Sequence, residues 1–314
     1  MLWGDRPKLM NQMNTSKQDK KYIGRFAPSP TGPVHFGTLL AAVGSYLQAK
    51  VNNGQWLLRM EDVDVTRKVD GSDLEILHTL EAFGFEWQGE VIYQSNQIDY
   101  YQQVLEQLIE QSLVFPCVCS RKQLAATGSK IYPGTCRNHK LPEKGEHALR
   151  LYARDITIEF DDLVMGQQSQ NIARQCGDFV IRRRDGLFAY QLAVVVDDYL
   201  QNISEVVRGA DLLDSTARQI YLQQLLGYPT PGYCHLPLAV DESGNKISKS
   251  EGAMRVDLKN RERLLFSVLV FLGQNPPADL TGSSINDIWS WAESHWDTRR
   301  IPSKTHMQPV ISQN

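Results

Sequence analysis

Two short segments carry residues suited to handling phosphate. The first runs Arg25-Phe26-Ala27-Pro28-Ser29-Pro30-Thr31-Gly32 into His35-Phe36-Gly37-Thr38, and the second is Lys246-Ile247-Ser248-Lys249-Ser250. A β-compatible stretch at 22–26 passes through a Pro/Gly-rich turn into Leu39, Leu40, Val43 and Leu47 at helical spacing. A strand–loop–helix of this kind aims unpaired backbone N–H groups and the positive end of the helix dipole at one point, which suits a phosphate chain. Gly32 and Gly37 allow close approach of the backbone, Pro28, Pro30 and Pro33 stiffen the turn, and His35 can donate to a phosphate oxygen. Lys246 and Lys249 lie in a polar loop that includes Gly244 and Gly252 and can close over a triphosphate. A lysine aimed at an α-phosphate stabilises the charge that builds as a carboxylate attacks phosphorus. Either segment alone reads as an ordinary turn or surface loop; the combination points to nucleotide chemistry.

Two further groups stand out. Glu61, Asp62, Asp64 and Arg67 follow the apolar stretch Trp56 to Met60, and a carboxylate at the C-terminal end of a parallel strand is well sited to meet a ligand. Cys117, Cys119 and Cys136 sit with Tyr132 and His139 in a Pro/Gly-rich stretch. Clustered thiolates fit a structural zinc ion, which takes four ligands in a tetrahedron, with Tyr132 or His139 as the fourth. Cys176 and Cys234 stand apart and read as core residues. Arg182-Arg183-Arg184 and Arg299-Arg300 are candidate phosphate contacts.

The elements that must position these groups read as an α/β fold. Leu74, Leu77 and Leu80 give a helical stripe before Gly84, and Ile98, Tyr101, Leu105, Leu108 and Ile109 mark an amphipathic helix. This βαβα alternation predicts a parallel sheet covered by helices on both faces. The pattern breaks from about residue 112, as an insertion would, and strand-like runs return at 156–160, 180–182 and 192–196. A helix opens at Asp214 or Ser215, sheet pattern resumes at 236–240, and helical spacing returns from Leu258 to Leu272.

The chain of 314 residues has a formal net charge of −3, which argues against a generic polyanion-binding surface. Its apolar runs fall short of the roughly 20 residues that span a bilayer. Residues 1–20 are polar without the apolar core of a secretory signal, so a flexible extension and a cytoplasmic enzyme are expected. Five cysteines, unevenly spread, do not look like a disulfide framework.

Taken together, the RFAPSPTG-to-HFGT segment and the KISKS segment resemble, in this order, the two signature motifs of class I aminoacyl-tRNA synthetases, in the spelling of the glutamyl/glutaminyl branch. The resemblance covers roughly residues 22–255. It implies a Rossmann-like core, with His35 and Gly37 in the first ATP motif and Lys246 and Lys249 in the second, His35 and Lys249 serving the chemistry. MEDVDVTR is close to a glutamyl-tRNA synthetase pattern that places Glu61 on the substrate ammonium. The same likeness puts Arg25, Phe26, Ala27, Pro28 and Ser29, with Tyr190 and Arg208, around a dicarboxylic amino acid. The CxC-then-YxxxC pattern is similar to the zinc site of the glutamyl-Q tRNA(Asp) synthetase family and selects Tyr132 as the fourth ligand.

These expectations define a catalytic region at 21–255 with a zinc-bearing insertion at about 112–180, and a short helical end at 256–314 too small for the anticodon-binding domain of a full-length glutamyl-tRNA synthetase. The implied reaction is activation of L-glutamate by ATP with Mg²⁺ and transfer of glutamate to the queuosine base of tRNA(Asp), by a monomer holding one structural Zn²⁺. Charging of a tRNA 3′ end, or a non-catalytic RNA-binding module, are the alternatives.

Overall fold

Strand and helix alternate as soon as the described chain begins. The computed structural model describes residues 21–129, 131–138, 146–241 and 256–309. The expectations for residues 1–20, for His139 and for Lys246, Lys249 and their loop lie outside the described residues.

In chain order the elements are β1 (Ile23–Phe26), α1 (Phe36–Val51), β2 (Gln55–Met60), α2 (Ser72–Ala82), β3 (Ile92–Tyr93), α3 (Ile98–Glu110), β4 (Val114–Cys117), α4 (Arg121–Ala125), β5 (Ala148–Leu151), β6 (Thr157–Asp162), β7 (Gly166–Asn171) and β8 (Phe179–Arg182). There follow α5 (Tyr190–Leu200), β9 (Glu205–Gly209), α6 (Leu213–Leu226), β10 (Gly232–Leu236), β11 (Leu238–Ala239), α7 (Arg261–Phe271), α8 (Ile285–His295) and β12 (His306–Met307).

β1, β2 and β3 pair in parallel, as do β9, β10 and β6, with β7 antiparallel at the far edge. The two groups meet where Ser204, just before β9, donates its N–H to the Ile23 carbonyl at 2.9 Å and accepts the Ile23 N–H on its hydroxyl at 2.8 Å. The parallel strands therefore run β3-β2-β1-β9-β10-β6, the order of an open doubly wound sheet whose ligands bind beyond the carboxyl ends of the strands. A separate antiparallel sheet, β4-β5-β8, is built from strands between Val114 and Arg182, within the stretch where an insertion is expected.

Strand periodicity sorts the sheet's side chains onto two cores. Phe26, Trp56, Leu58, Met60, Val207 and Leu236 face α1, α7 and α8, while Ile23, Leu57, Val206 and Tyr233 face α3, α5 and α6. By the same alternation, Arg25, Arg59, Arg208 and His235 point to the α5/α6 side near the carboxyl ends of β1, β2, β9 and β10. Gly44 lets α1 sit directly on β10, since a Cβ there would come within 2.5 Å of the Leu236 side chain.

The C-terminal helices are part of this body. Leu265, Val268, Leu269, Ile288 and Trp289 are buried in the core shared with α1 and β2, and Trp289 Nε1 donates to the Phe83 carbonyl at 2.8 Å.

Two expectations are corrected. The run Leu192 to Val196 is a helix, not a strand: it lies in α5, and all five residues are essentially fully buried. An element covered all round shows an unbroken apolar run whatever its backbone, so periodicity does not separate the two readings. Leu74 is 65% exposed, so α2 packs through Ile76, Thr79 and Leu80 rather than through a Leu74 stripe.

Candidate active site and metal centre

At the carboxyl end of the parallel sheet lies a cleft of about 880 Å³, and it gathers both expected half-sites. Arg25 to Pro30, His35, Gly37, Glu61, Tyr190 and Arg208 all line it. The described residues expected at the nucleotide and amino-acid sites thus line one cavity, and the expected metal ligands lie outside it.

On the nucleotide side His35 caps α1. Its Nδ1 accepts the Thr38 backbone N–H at 3.2 Å, which leaves Nε2 as the protonated nitrogen, 3.0 Å from the Thr38 hydroxyl. Gly37 is what allows the ring to fold over the helix start, because a Cβ would stand 3.3 Å from the imidazole. The loop is tied to its neighbours by Glu61 N–H to the Pro28 carbonyl, 2.9 Å, and Val69 N–H to the Pro30 carbonyl, 3.0 Å. The helix N-terminus and the first-motif loop are held open toward the cleft, a setting suited to anions.

The amino-acid side rests on a buried charge network. Asp198, from α5, accepts from Arg25 Nε at 3.0 Å and from Arg59 Nη2 at 2.8 Å. Burial alone would raise the Asp198 pKa, but the two guanidinium groups outweigh it and hold the carboxyl below its ordinary range. Neighbouring Asp197 goes the other way: burial pushes it up, although Arg59, Gln94 and Tyr101 oppose the shift. Glu61 lies 3.7 Å from Arg59, whose shorter contact goes to Asp198. Burial lifts Glu61 from about 4.5 to about 7, with Arg59 and Arg25 only partly offsetting it. A carboxylate this poorly neutralised invites a ligand cation.

Arg208, on β9, lines the same cleft and is 5% exposed. Its Nε donates to His235 Nε2 at 3.0 Å, Nη1 to Gln219 Oε1 at 2.8 Å and Nη2 to the Thr216 hydroxyl at 2.8 Å. Nη1 also lies 3.4 Å from the Tyr190 hydroxyl, the first residue of α5. One carboxylate and two guanidinium groups around a cleft can hold an α-amino acid with an acidic side chain.

Sequence reasoning missed Arg59, Asp162, Asp197, Asp198 and His235. An arginine inside the apolar stretch Trp56 to Met60 and paired aspartates inside a buried helix were the available signals. The arginine runs named as candidate phosphate contacts have protein partners. Arg183 bonds Asp64 at 2.8 Å and Asp185 at 2.6 Å, Arg184 donates to the Val118 and Glu146 carbonyls, and Arg299 pairs with Asp297.

In the insertion, Cys117 at the end of β4 meets Cys119 and Cys136, their sulfurs all within 4.8 Å of one another. The Tyr132 hydroxyl is 3.4 Å from Cys117 Sγ and 3.8 Å from Cys119 Sγ, and Cys119 and Cys136 sulfurs are 3.6 Å apart. Ligands about 2.3 Å from a tetrahedral centre stand roughly 3.7 Å from each other, so this donor set fits a metal ion. Cys176 and Cys234 are buried away from it.

A sequence model of tRNA synthetases class I (E and Q), catalytic domain, matches residues 22–273. The chain is 51% identical to a glutamyl-Q tRNA(Asp) synthetase of Aromatoleum aromaticum, over 90% of both chains. It is 49% identical to that of Ectopseudomonas mendocina, over 92% of this chain and 96% of the relative. Among solved structures it is similar to a glutamate tRNA ligase from Elizabethkingia meningosepticum in complex with its amino acid, with a TM-score of 0.78, 25% identity, and coverage of 92% of this chain and 68% of that one. No helix among the described residues is long and apolar enough to cross a membrane.

Proposed function

Because the chain belongs to the glutamyl-Q tRNA(Asp) synthetases, within the class I synthetases for Glu and Gln, we propose that it activates L-glutamate with ATP and Mg²⁺ and transfers glutamate to the queuosine base in the anticodon loop of tRNA(Asp). The observation that carries the first step is the convergence of Arg25, Glu61, Tyr190 and Arg208 on the cleft that His35 borders. Glu61 takes the substrate ammonium. Arg25 and Arg208 share its two carboxylates, with Tyr190 donating a hydroxyl and the backbone of 25–29 forming the floor.

A substrate carboxylate oxygen attacks the α-phosphorus of ATP, and pyrophosphate departs as the glutamyl-adenylate bond forms. The chain supplies position and charge rather than a nucleophile. His35, with Gly37 beside it, serves the phosphates at the start of α1, and Lys246 and Lys249 of the second motif bind them, Lys249 stabilising the charge that develops. The acyl group then passes to the acceptor and AMP leaves. An unstacked loop base is an accessible acceptor for a compact enzyme.

Cys117, Cys119, Tyr132 and Cys136 hold one zinc ion, which braces the insertion. Residues 21–255 form the catalytic unit with its insertion at 112–180, residues 256–314 a helical end, and the enzyme works as a cytoplasmic monomer. Pyrophosphate exchange into ATP, measured without tRNA, tests the first step. Exchange that depends on glutamate supports it; zinc-replete protein with none would mark a non-catalytic RNA-binding module.

A further inference from the structure

We infer that His235, itself oriented by Asp162, is a positioning residue that fixes the guanidinium of Arg208 for the substrate carboxylate. The inference rests on the reading of Arg208 as a glutamate ligand. Three adjacent strands supply the chain of groups: Asp162 ends β6, His235 lies in β10, and Arg208 is its register partner in β9. Side chains of register partners in adjacent parallel strands project to the same face, so the imidazole and the guanidinium meet by construction.

Asp162 is locked first. Its Oδ1 accepts the backbone N–H of Val164 at 3.0 Å, Met165 at 2.9 Å and His235 at 3.1 Å, leaving Oδ2 for His235 Nδ1 at 2.6 Å. Burial would raise this carboxyl, yet the bonds from His235 and Met165 keep it below its ordinary range. His235, fully buried, is displaced downward by burial, with the nearby charges of Arg208 and Arg25 acting the same way against the pull of Asp162. The ring is therefore neutral, and the short contact with Oδ2 puts its one proton on Nδ1.

That tautomer presents the lone pair of Nε2 to Arg208 Nε–H, 3.0 Å away. The opposite tautomer, or an imidazolium, would set donor against donor. With Nε fixed by His235 and the remaining strong contacts made to Gln219 and Thr216, two long contacts are left: 3.4 Å to the Tyr190 hydroxyl and 3.4 Å to the Leu212 carbonyl. Tyr190 and Leu212 both line the cleft. The weakly used donors of Arg208 thus lie next to cleft residues, as a fork awaiting a carboxylate requires.

Pyrophosphate exchange with glutamate and ATP varied separately tests the assignment. His235→Phe removes the acceptor and is expected to raise KM for glutamate about tenfold or more while KM for ATP stays put. His235→Gln, whose carbonyl can accept from Arg208, restores part of the loss. In Arg208→Lys the glutamate KM rises as well, and adding His235→Phe to it costs little more. Should the phenyl variant fail to fold, His235→Gln and Asp162→Asn carry the same selective expectation on KM for glutamate. Folded variants whose glutamate KM is unchanged, or whose two KM values rise alike, would overturn the positioning role. An unchanged glutamate KM in Arg208→Lys would overturn the reading of Arg208 beneath it.

Discussion

If Glu61 holds the substrate ammonium as proposed, protons and that ammonium compete for it. Burial places this carboxyl at about 7, against about 4.5 when it is free, because Arg59 and Arg25 are already engaged by Asp198. A raised carboxyl pKa opposes folding once the group ionises: stability is undiminished below the ordinary value, falls as pH rises between the two values, and above about pH 7 is lower by about 3 kcal/mol. In the proposed role, bound glutamate would offset that cost by giving the charge a partner. Only ionised Glu61 attracts an ammonium, so KM for glutamate should fall about tenfold between about pH 6 and pH 8. Initial rates of pyrophosphate exchange across that interval, with saturating ATP, measure it. Glu61→Gln should bind glutamate weakly at every pH and lose the inflexion. A flat profile in the unaltered enzyme, or an inflexion that survives in Glu61→Gln, would refute the role given to Glu61.

The buried network and the packing make further predictions. Asp198→Ala leaves Arg25 and Arg59 facing each other without their shared carboxylate, and should cost about 3–5 kcal/mol in chemical denaturation while abolishing exchange. Cys117→Ser, in a site where the donors already stand at metal-binding separations, should lower bound zinc from one per chain toward none by elemental analysis and make the insertion more sensitive to protease. Trp289→Ala removes a ring packed against Tyr46 and Phe85 and should destabilise by about 3–5 kcal/mol in a single transition shared with the catalytic region. A separate, early transition would show that α8 folds apart from it.

The nucleotide loop was legible because its chemistry is local. Pro, Gly and His must occur at fixed offsets for a strand to turn into a helix with His35 over Gly37, and the offsets survive in one dimension. The cysteine cluster was legible for the same reason, Cys117 and Cys119 being neighbours in the chain. The charge network under the amino-acid site was not, because Arg59, Asp198, Asp162 and His235 come together only after β6, β9 and β10 have been laid beside β1 and β2. Arg59 and His235 each stand alone among apolar residues, and Asp162 and Asp198 each end an acidic pair, with no local signal that joins them. The strand reading of Leu192 to Val196 hid them further: only as a helix does α5 deliver Tyr190 at its start and Asp197 and Asp198 nearly two turns later.

The identity of the acceptor tests the whole account most directly. Radiolabelled glutamate and ATP are offered with tRNA(Asp) that carries queuosine, with the same tRNA lacking it, and with tRNA(Glu), each intact and after removal of its 3′-terminal adenosine. Label entering only the queuosine-bearing tRNA(Asp), with the terminal adenosine dispensable, is the predicted result. Equal labelling of queuosine-free tRNA(Asp), or labelling of tRNA(Glu) that disappears with its 3′-terminal adenosine, would contradict it.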